Sequence, residues 1–321
     1  MNLLFHTPGH ARHDPTALSP GHPERPARLN ALAPVLDQAA TNGWTRREHA
    51  PATDDALARL HPAAHLAWLE ELANGGGGRA EADTALTAGS MDAARSAAGA
   101  GLAAVDAVVA ESDVRAFCAV RPPGHHARPF VDRGAMGFCL LANAALAAAH
   151  ARAAHGLNRV LVVDWDVHHG NGTQDAFYED ENVHFLSLHR FPFYPGSGAK
   201  DETGAGAGLG ATRNLPTAFG TPPDTIVGRF RTALADVADA CRPELVILSA
   251  GFDARRGDPV GDLGLEPEHF AALTAAVVEV ADAHADGRIV SLLEGGYDPA
   301  QLAEGVTIHL AALAAGGASS E

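Results

Sequence analysis

The stretch LVVDWDVHHGNGTQD, residues 161–175, joins an apolar run to a cluster of potential metal-binding side chains. Its first three residues are typical of a buried strand in a parallel sheet. Two carboxylates and two imidazoles follow at once, at Asp164, Asp166, His168 and His169. Because buried charges need a partner or a metal, we expect a binding or catalytic site at the end of this strand.

The rest of the chain alternates between strand patterns and helix patterns. Strands are predicted over 2–6, 114–120, 158–166, 182–189, 212–216, 244–251 and 288–296. Helices are predicted over 27–40, 54–73, 90–111, 140–155, 224–240, 266–284 and 298–314, with a short one opening after residue 170. Four consecutive glycines mark residues 74–86 as a flexible loop.

This alternation predicts an α/β fold with a parallel β-sheet flanked by helices on both faces. Neither a linker nor an internal repeat is evident, so we predict a single catalytic domain over 1–314. The tail over 315–321 is rich in Gly and Ser and is expected to be disordered. In such sheets ligands bind beyond the carboxyl ends of the strands, which directs attention to the loops that follow them.

Composition limits the classes of partner. The 321 residues carry a formal net charge of −16, which argues against a nucleic-acid partner and against a polybasic membrane contact. No stretch approaches the ~18 unbroken apolar residues of a spanning helix. The three cysteines do not form a disulfide framework, so we expect buried thiols and a cytoplasmic location.

A divalent metal site is predicted from three of these strand-end side chains. In an extended segment alternate residues share a face, so Asp164, Asp166 and His168 should point the same way. Asp253 follows the strand ELVILSAGF and adds a third ligand to Asp166 and His168. Two carboxylates and one imidazole leave a fourth position open, as catalytic zinc requires. The alternatives are a solvated loop pair for Asp166 and His168, and a helix cap or turn for Asp253.

Tandem histidines supply a candidate acid–base pair. His125 and His126 follow two prolines and a glycine, which restrict the backbone before them. One imidazole would take a proton from water and return it to a leaving amine, while the other stays charged. Asp164 is the expected partner of one ring. The alternative is a pair of loop histidines without a chemical role.

A phenol completes the predicted constellation. Tyr297 follows Gly295 and Gly296 at the end of a strand, where its hydroxyl would donate to a developing oxyanion. The alternative is a tyrosine that caps the next helix. Together the metal, the base and the phenol describe metal-assisted hydrolysis of an amide.

Several motifs in order resemble the histone deacetylase superfamily, most closely its class II-type members and their bacterial amidohydrolase relatives. The resemblance runs from HPERPARL (22–29) to about residue 310. The motifs are RPPGHH (121–126), GFC (137–139), DWDVHHGNGTQDAF (164–177), SLH (187–189), YPGSG (194–198), GFDARRGDP (251–259) and LEGGYD (293–298).

The resemblance implies an arginase/deacetylase-type fold and assigns roles to individual residues. Zinc would be held by Asp166, His168 and Asp253. His126 would act as general base and acid, His125 as its electrostatic partner paired with Asp164, and Tyr297 would polarise the acyl carbonyl. Structural potassium is also implied, at Asp164, Asp166, His168, Ser187 and Leu188.

The same resemblance implies a narrow channel for an acylated amine. Its lining would include Gly137, Phe138, Tyr194 and Val260, and Arg28 matches a residue near the acetate exit route. Tyr194 stands where the family usually has Phe, and Val260 stands where polyamine-preferring members have Glu. Asn171 matches the class II residue beside the second histidine and should leave His126 less basic than an aspartate would.

The resemblance thus implies a zinc-dependent amidohydrolase that removes acetyl or other short acyl groups from N-acylated amines. Acetyl-lysine in a peptide is the first expected substrate, and an acetylpolyamine or another small acylated amine is the alternative. A binuclear manganese ureohydrolase and a non-catalytic acyl-lysine binding module fit the motifs less well. Fe²⁺ suits the same ligands as Zn²⁺, K⁺ would be structural, and a homo-oligomer is left open.

Overall fold

Eight parallel strands form the centre of the computed structural model, which describes residues 1–7, 9–111 and 113–315. The ten strands are β1 (Asn2–His6), β2 (Trp44–Arg46), β3 (Gly77–Arg79), β4 (Ala85–Thr87), β5 (Arg115–Ala119), β6 (Val160–Asp164), β7 (Val183–Arg190), β8 (Thr212–Thr217), β9 (Leu245–Ala250) and β10 (Ile289–Leu293). The order in the main sheet is β2-β1-β5-β10-β9-β6-β7-β8, and β3 and β4 form a separate antiparallel pair.

Nine α-helices surround the sheet within the described residues. They are α1 (Ala27–Thr41), α2 (Asp54–Leu57), α3 (Ala63–Asn74), α4 (Ser90–Ala110), α5 (Asn143–His155), α6 (Asn171–Phe177), α7 (Pro223–Cys241), α8 (Pro267–His284) and α9 (Pro299–Ala315). Helices α3, α4 and α5 cover one face, and α1, α7, α8 and α9 cover the other. The predicted α/β fold with helices on both faces is therefore confirmed.

The central strands are apolar throughout because both of their faces are buried. In β6, Val160 and Val162 pack into the core beneath α4 and α5, while Leu161 and Val163 pack into the core on the opposite face. This is the expected behaviour of a strand whose successive side chains point to opposite sides. The register of the sheet is thus fixed by two separate cores.

Strand order places the site segments side by side. The neighbours β5, β10, β9 and β6 are paired in parallel, so their carboxyl ends share one edge of the sheet. The loops that follow them carry 121–126, 294–297, 251–253 and 165–169 respectively. Four segments that are distant in sequence therefore open towards the same region.

The structure corrects several predicted elements. The single helix expected over 54–73 is two helices, α2 and α3, because Pro62 lacks the amide hydrogen that a continuous helix needs there. The glycine-rich segment expected as a loop contains β3 and β4. Strand β2 was not predicted. Ala315, expected to open the tail, ends α9, and residues 316–321 lie outside the described residues.

Helix α4 is long and apolar enough to cross a membrane by length and composition alone. However, 61% of its most apolar 18-residue window is buried inside the protein. Core helices pass the same test, so this feature is weak evidence for a membrane segment. The three cysteines are free and buried, as expected.

Candidate active site

Asp166, His168 and Asp253 converge at the carboxyl edge of the sheet. Nδ1 of His168 lies 3.0 Å from Oδ1 of Asp166 and 3.2 Å from Oδ2 of Asp253. All three residues are buried, and their potential ligand atoms lie within 4.8 Å of one another. Two strand ends, those of β6 and β9, therefore deliver a compact group of two carboxylates and one imidazole.

Local turns, not an extended strand, bring these side chains together. Strand β6 ends at Asp164, and the backbone then bends. Oδ1 of Asp164 accepts the amide hydrogen of Asp166 at 3.0 Å, and Oδ1 of Asp166 accepts that of His168 at 2.9 Å. Such bonds to the amide two residues on are typical of Asp in turns. The segment is bent and not an extended strand, but the expected alternation persists, since Trp165 and Val167 pack into the same core as Leu161 and Val163 on the opposite side.

The charges around the group favour a cation between the carboxylates. Despite burial, hydrogen bonds to Asp166 and Asp253 raise the pKa of His168 to about 9. Burial and the charge of Asp166 raise the pKa of Asp253 to about 7. Oδ2 of Asp253 has no hydrogen-bond partner among the described residues, although His168 is close enough for an ion pair. A divalent cation would supply the missing positive partner for this oxygen.

Two glycines keep the surroundings of this group open. A Cβ added at Gly295 would lie 2.2 Å from Oδ2 of Asp253 and 2.5 Å from Oδ2 of Asp166. A Cβ added at Gly251 would lie 2.3 Å from Oδ2 of Asp166. The amide of Gly295 also donates to Oδ2 of Asp166 at 2.8 Å. Only glycine allows the backbone to approach the carboxylates this closely.

His125 is held as a charged group behind the cluster. Its Nδ1 lies 3.0 Å from Oδ2 of Asp164, and its Nε2 lies 3.7 Å from Oδ1 of Asp166. Burial disfavours the charged ring, but Asp166 and Asp164 outweigh it and hold the pKa of His125 well above 6.5. The structure thus brings His125 and Asp164 together as the sequence predicted.

Glu294 positions the histidine loop, a role that sequence reasoning did not assign. Its Oε2 accepts the amide hydrogens of Gly124 at 2.7 Å and of His125 at 3.2 Å. Its Oε1 accepts the hydroxyl of Ser249 at 3.2 Å. The only signal in the sequence was an acidic residue at the end of an apolar strand.

His126 has the geometry of a neutral base. Its Nδ1 lies 2.7 Å from Oδ1 of Asn171, so Nδ1 carries the proton and Nε2 keeps its lone pair. Burial, together with His125 and His168, holds the pKa of His126 well below 6.5. Gly137 closes one side of this ring, since a Cβ there would lie 2.4 Å from Cδ2 of His126.

Tyr297 lies beside the same cluster. It is buried, its ring centroid is 5.7 Å from that of Phe138, and its amide donates to Asp258 at 2.8 Å. Burial and the nearby Asp253 and Asp166 carboxylates hold its pKa well above 10, so the hydroxyl remains a hydrogen-bond donor.

Arg28 anchors the segment that carries Tyr297. Its guanidinium donates to the carbonyl oxygens of Glu294 at 2.5 Å and Gly296 at 2.6 Å, and it also contacts Glu24 at 3.3 Å. Its Cζ lies 4.8 Å from the ring centroid of Tyr297. Arg28 is therefore fully buried next to the site, and its expected part in acetate exit stays a prediction.

A cavity of about 220 Å³ leads to these groups. The predicted channel residues Gly137, Phe138, Tyr194 and Val260 all line it, together with His126, His168, Tyr297, Asp83 and Phe193. Phe193 stacks on His168 with centroids 5.2 Å apart, and Tyr194 meets His126 edge-on at 5.2 Å. The sequence gave no sign of Asp83, which lies between β3 and β4.

Two of the five expected potassium ligands, Ser187 and Leu188, lie on the next strand, β7. Ser187 pairs with Asp164 across β6 and β7, and both Ser187 and Leu188 are buried. The hydroxyl of Ser187 contacts Nδ1 of His189 at 2.9 Å. The structure thus places these two residues beside the group of Asp166, His168 and Asp253, and their binding of potassium stays a prediction.

A larger cavity of about 680 Å³ lies elsewhere, over β1, α1 and β2. It contains none of the residues predicted for chemistry. The smaller cavity is the relevant one of the two, because His126, His168 and Tyr297 line it.

Comparison with known proteins agrees with this geometry. Residues 22–313 match the model of the histone deacetylase domain. The chain is 39% identical over 87% of its length to a histone deacetylase-like amidohydrolase of Pseudomonas aeruginosa, covering 73% of that protein. It is 36% identical over 87% of its length to a probable deacetylase of Archaeoglobus fulgidus, covering 77% of that protein.

Two further similarities are informative. The chain is 39% identical over 90% of its length to the human polyamine deacetylase HDAC10, although it covers only 44% of that protein. It aligns with the crystal structure of the HDA15 HD domain at a TM-score of 0.88 and 35% identity, covering 98% of this chain and 91% of the other. The chain therefore belongs to the histone deacetylase family of amide-bond hydrolases.

Proposed function

We propose that this chain is a zinc-dependent deacetylase that removes acetyl or other short acyl groups from N-acylated amines, with acetyl-lysine side chains as its main substrates. One observation carries this proposal. Two carboxylates and an imidazole that could hold a cation form one buried group, and this imidazole lines a cavity together with a neutral histidine and a protonated phenol.

The cluster of Asp166, His168 and Asp253 fits a zinc ion. It offers the oxygen and nitrogen donors that zinc prefers, and the unpartnered Oδ2 of Asp253 lies within it. When bound, zinc supplies Lewis-acid chemistry, since it polarises a carbonyl oxygen and makes a water molecule more acidic. Fe²⁺ accepts the same donors, so metal supply in the cell would decide between them.

His126 would move the protons of the reaction. Its free Nε2 accepts a proton from the attacking water, and Asn171 holds the other nitrogen in the matching tautomer. The protonated ring then gives that proton to the nitrogen of the leaving amine. His125, kept positive by Asp164 and Asp166, stabilises the negative charge that develops on the substrate.

Tyr297 would bind the acyl oxygen. Its hydroxyl stays protonated, so it donates to the oxygen as charge develops there. Arg28 and the amide contact to Asp258 fix the segment around this residue. Such preorganisation means that little rearrangement is needed during the reaction.

The walls of the cavity would select an extended, unbranched acylated amine. Phe138, Phe193 and Val260 offer apolar contact to an aliphatic chain, and the volume of about 220 Å³ leaves little room for branches. We further propose that potassium binds near Asp164 and Ser187 as a structural ion.

An acetylpolyamine is the second candidate substrate. The carboxylate of Asp83 lines the cavity, and Glu81 lies two residues away, so a cationic amine would find negative charge there. Val260 argues against an acetylpolyamine, because this apolar side chain adds no negative charge to the cavity wall. One relative of this chain is named a polyamine deacetylase, which is a further reason to test acetylpolyamines as substrates.

One panel of substrates distinguishes acetyl-lysine peptides from acetylpolyamines as the main substrate. Zinc-loaded and iron-loaded protein would be assayed with acetyl-lysine peptides, longer acyl-lysine peptides and acetylated polyamines. The proposal expects the highest kcat/KM on acetyl-lysine peptides. A higher value on acetylpolyamines would favour the second candidate, and the absence of hydrolysis of every acyl amide would refute both.

A further inference from the structure

Three side chains outside the candidate active site converge on the protein surface. Nε2 of His150 and Nε2 of His155 each lie 2.7 Å from the same atom, Oδ1 of Asp106. Asp106 belongs to α4, and both histidines belong to α5. The potential ligand atoms of the three residues lie within 4.8 Å of one another.

This convergence is not the ordinary result of helical spacing. Residues five apart on an α-helix are separated by roughly 140° around its axis, so their side chains do not share a face. His155 reaches the group from the last residue of α5, where Gly156 ends the helix in a left-handed conformation. The two rings meet nearly at right angles, with centroids 5.6 Å apart.

We propose that Asp106, His150 and His155 form a second metal site, which binds a divalent transition-metal ion of the zinc type. Two imidazoles and a carboxylate are ligands that such ions accept, and the remaining positions would be taken by water. Ligand atoms around tetrahedral zinc are about 3.4 Å apart, given metal–ligand distances near 2.1 Å. The Asp106 side chain is 55% exposed, so it can move outward to reach this spacing.

The second site is remote from the chemistry. Helix α5 starts at Asn143, whose side chain contacts the carbonyl oxygen of Pro122 beside the histidine loop. At 1.5 Å per residue, His155 lies about 18 Å further along the helix axis. The ion would therefore join α4 to the end of α5 and stabilise the fold by mass action, with no part in catalysis.

The contact between Arg59 and His150 indicates how the zinc affinity of this site can be changed. Its Nη1 lies 3.2 Å from Nδ1 of His150, which must therefore accept a hydrogen bond while Nε2 carries the proton. A metal bound at Nε2 requires this nitrogen to be deprotonated, so the proton of the neutral ring would move to Nδ1. The Nδ1–H group would then face the guanidinium of Arg59. Arg59 thus opposes metal binding, and a residue that accepts a hydrogen bond there should favour it.

The zinc stoichiometry of the protein tests the proposal directly. Chelator-treated full-length protein would be dialysed against Zn²⁺ alone, and bound zinc would be measured for the wild type, Asp106→Asn and His155→Gln. We expect each variant to bind one equivalent less than the wild type and to keep wild-type deacetylase activity. This difference does not depend on whether the active-site cluster also binds zinc.

Arg59→Gln provides the second readout. Its amide oxygen can accept the Nδ1 proton of metal-bound His150, so zinc affinity at this site should increase about 10-fold. The thermal midpoint of this variant should accordingly rise at lower Zn²⁺ concentration than that of the wild type. Equal zinc stoichiometry in the wild type and Asp106→Asn, or weaker binding by Arg59→Gln, would overturn the proposal.

Discussion

Nδ1 of His126 lies 2.7 Å from the side-chain oxygen of Asn171, and this contact sets which nitrogen of the ring carries the proton. The amide is neutral, so it fixes the tautomer without adding the attraction that a carboxylate would give to a charged ring. Burial and the neighbouring His125 and His168 then hold the pKa of His126 well below 6.5. The ring is thereby kept ready to accept a proton.

Replacing Asn171 by Asp should make His126 more basic. A carboxylate beside Nδ1 favours the protonated ring and would raise the pKa of His126. Because the base acts only when deprotonated, the acidic limb of kcat/KM against pH should move to higher pH. An unchanged acidic limb, with wild-type metal content, would show that His126 is not the base.

Tyr297→Phe should remove most turnover while the protein stays folded and keeps its metal. Loss of one oxyanion donor lowers kcat by roughly 10²–10³-fold, with a smaller effect on KM. Tyr194→Phe is the matched control, because it removes another phenol of the same cavity and should retain most activity. Similar losses in the two variants would contradict the assignment of Tyr297.

Gly295→Ala should abolish metal binding at the active-site cluster. The added Cβ would lie 2.2 Å from Oδ2 of Asp253, so the carboxylate must move. Gly228→Ala is the control, since a Cβ at that helical position meets nothing within 4 Å. Zinc content after dialysis should fall by one equivalent only in the first variant, and retention of that zinc would argue against Asp253 as a ligand.

Stability should fall in acid partly because of His309. This residue is fully buried between the hydroxyls of Thr274 and Ser291, and burial lowers its pKa to about 3. Between about pH 3 and 6.5, His309 is protonated in the unfolded chain but not in the folded chain. The free energy of unfolding therefore increases with pH over this range. The contribution of one such histidine is about 1.4 kcal/mol per pH unit.

His309→Gln should remove that contribution. The variant will be less stable at neutral pH, because the packing around residue 309 changes, but its stability should depend less steeply on pH. Urea unfolding between pH 4 and 7 measures both effects. Parallel curves for the wild type and the variant would mean that His309 does not titrate in this range.

Asp83→Asn should weaken the use of cationic substrates selectively. Asp83 is half-buried and still meets solvent, so its ion pair with a substrate should contribute about 1 kcal/mol, which corresponds to roughly a five-fold loss in kcat/KM. The loss should be present for acetylpolyamines, absent for an uncharged acetamide, and reduced by salt. Asp55→Asn on α2 makes the same change in net charge and should have no effect. Equal losses for charged and uncharged substrates would exclude an electrostatic role.

The strand-end clustering could be predicted from sequence because it follows from the sheet itself. Parallel strands point their carboxyl ends to one edge, so Asp166, Asp253, His126 and Tyr297 were expected to meet there. The local path could not be predicted, because it depends on hydrogen bonds such as those from the amides of residues 166 and 168.

Other features were beyond sequence reasoning for similar reasons. Asp83 lies in a connection whose glycines suggested only flexibility, and its position depends on the pairing of β3 with β4. Strand β2 has only three residues, too few to show a period. The group of Asp106, His150 and His155 joins two helices at a spacing that no helical pattern brings together.

Anomalous diffraction from crystals grown with zinc tests the central claim most directly. The account predicts a zinc peak bonded to a carboxylate oxygen of Asp166, Nδ1 of His168 and a carboxylate oxygen of Asp253, at about 2.0–2.2 Å. The peak should face Nε2 of His126 and the hydroxyl of Tyr297 across the cavity. Zinc-saturated crystals with no peak among these three residues would contradict the account.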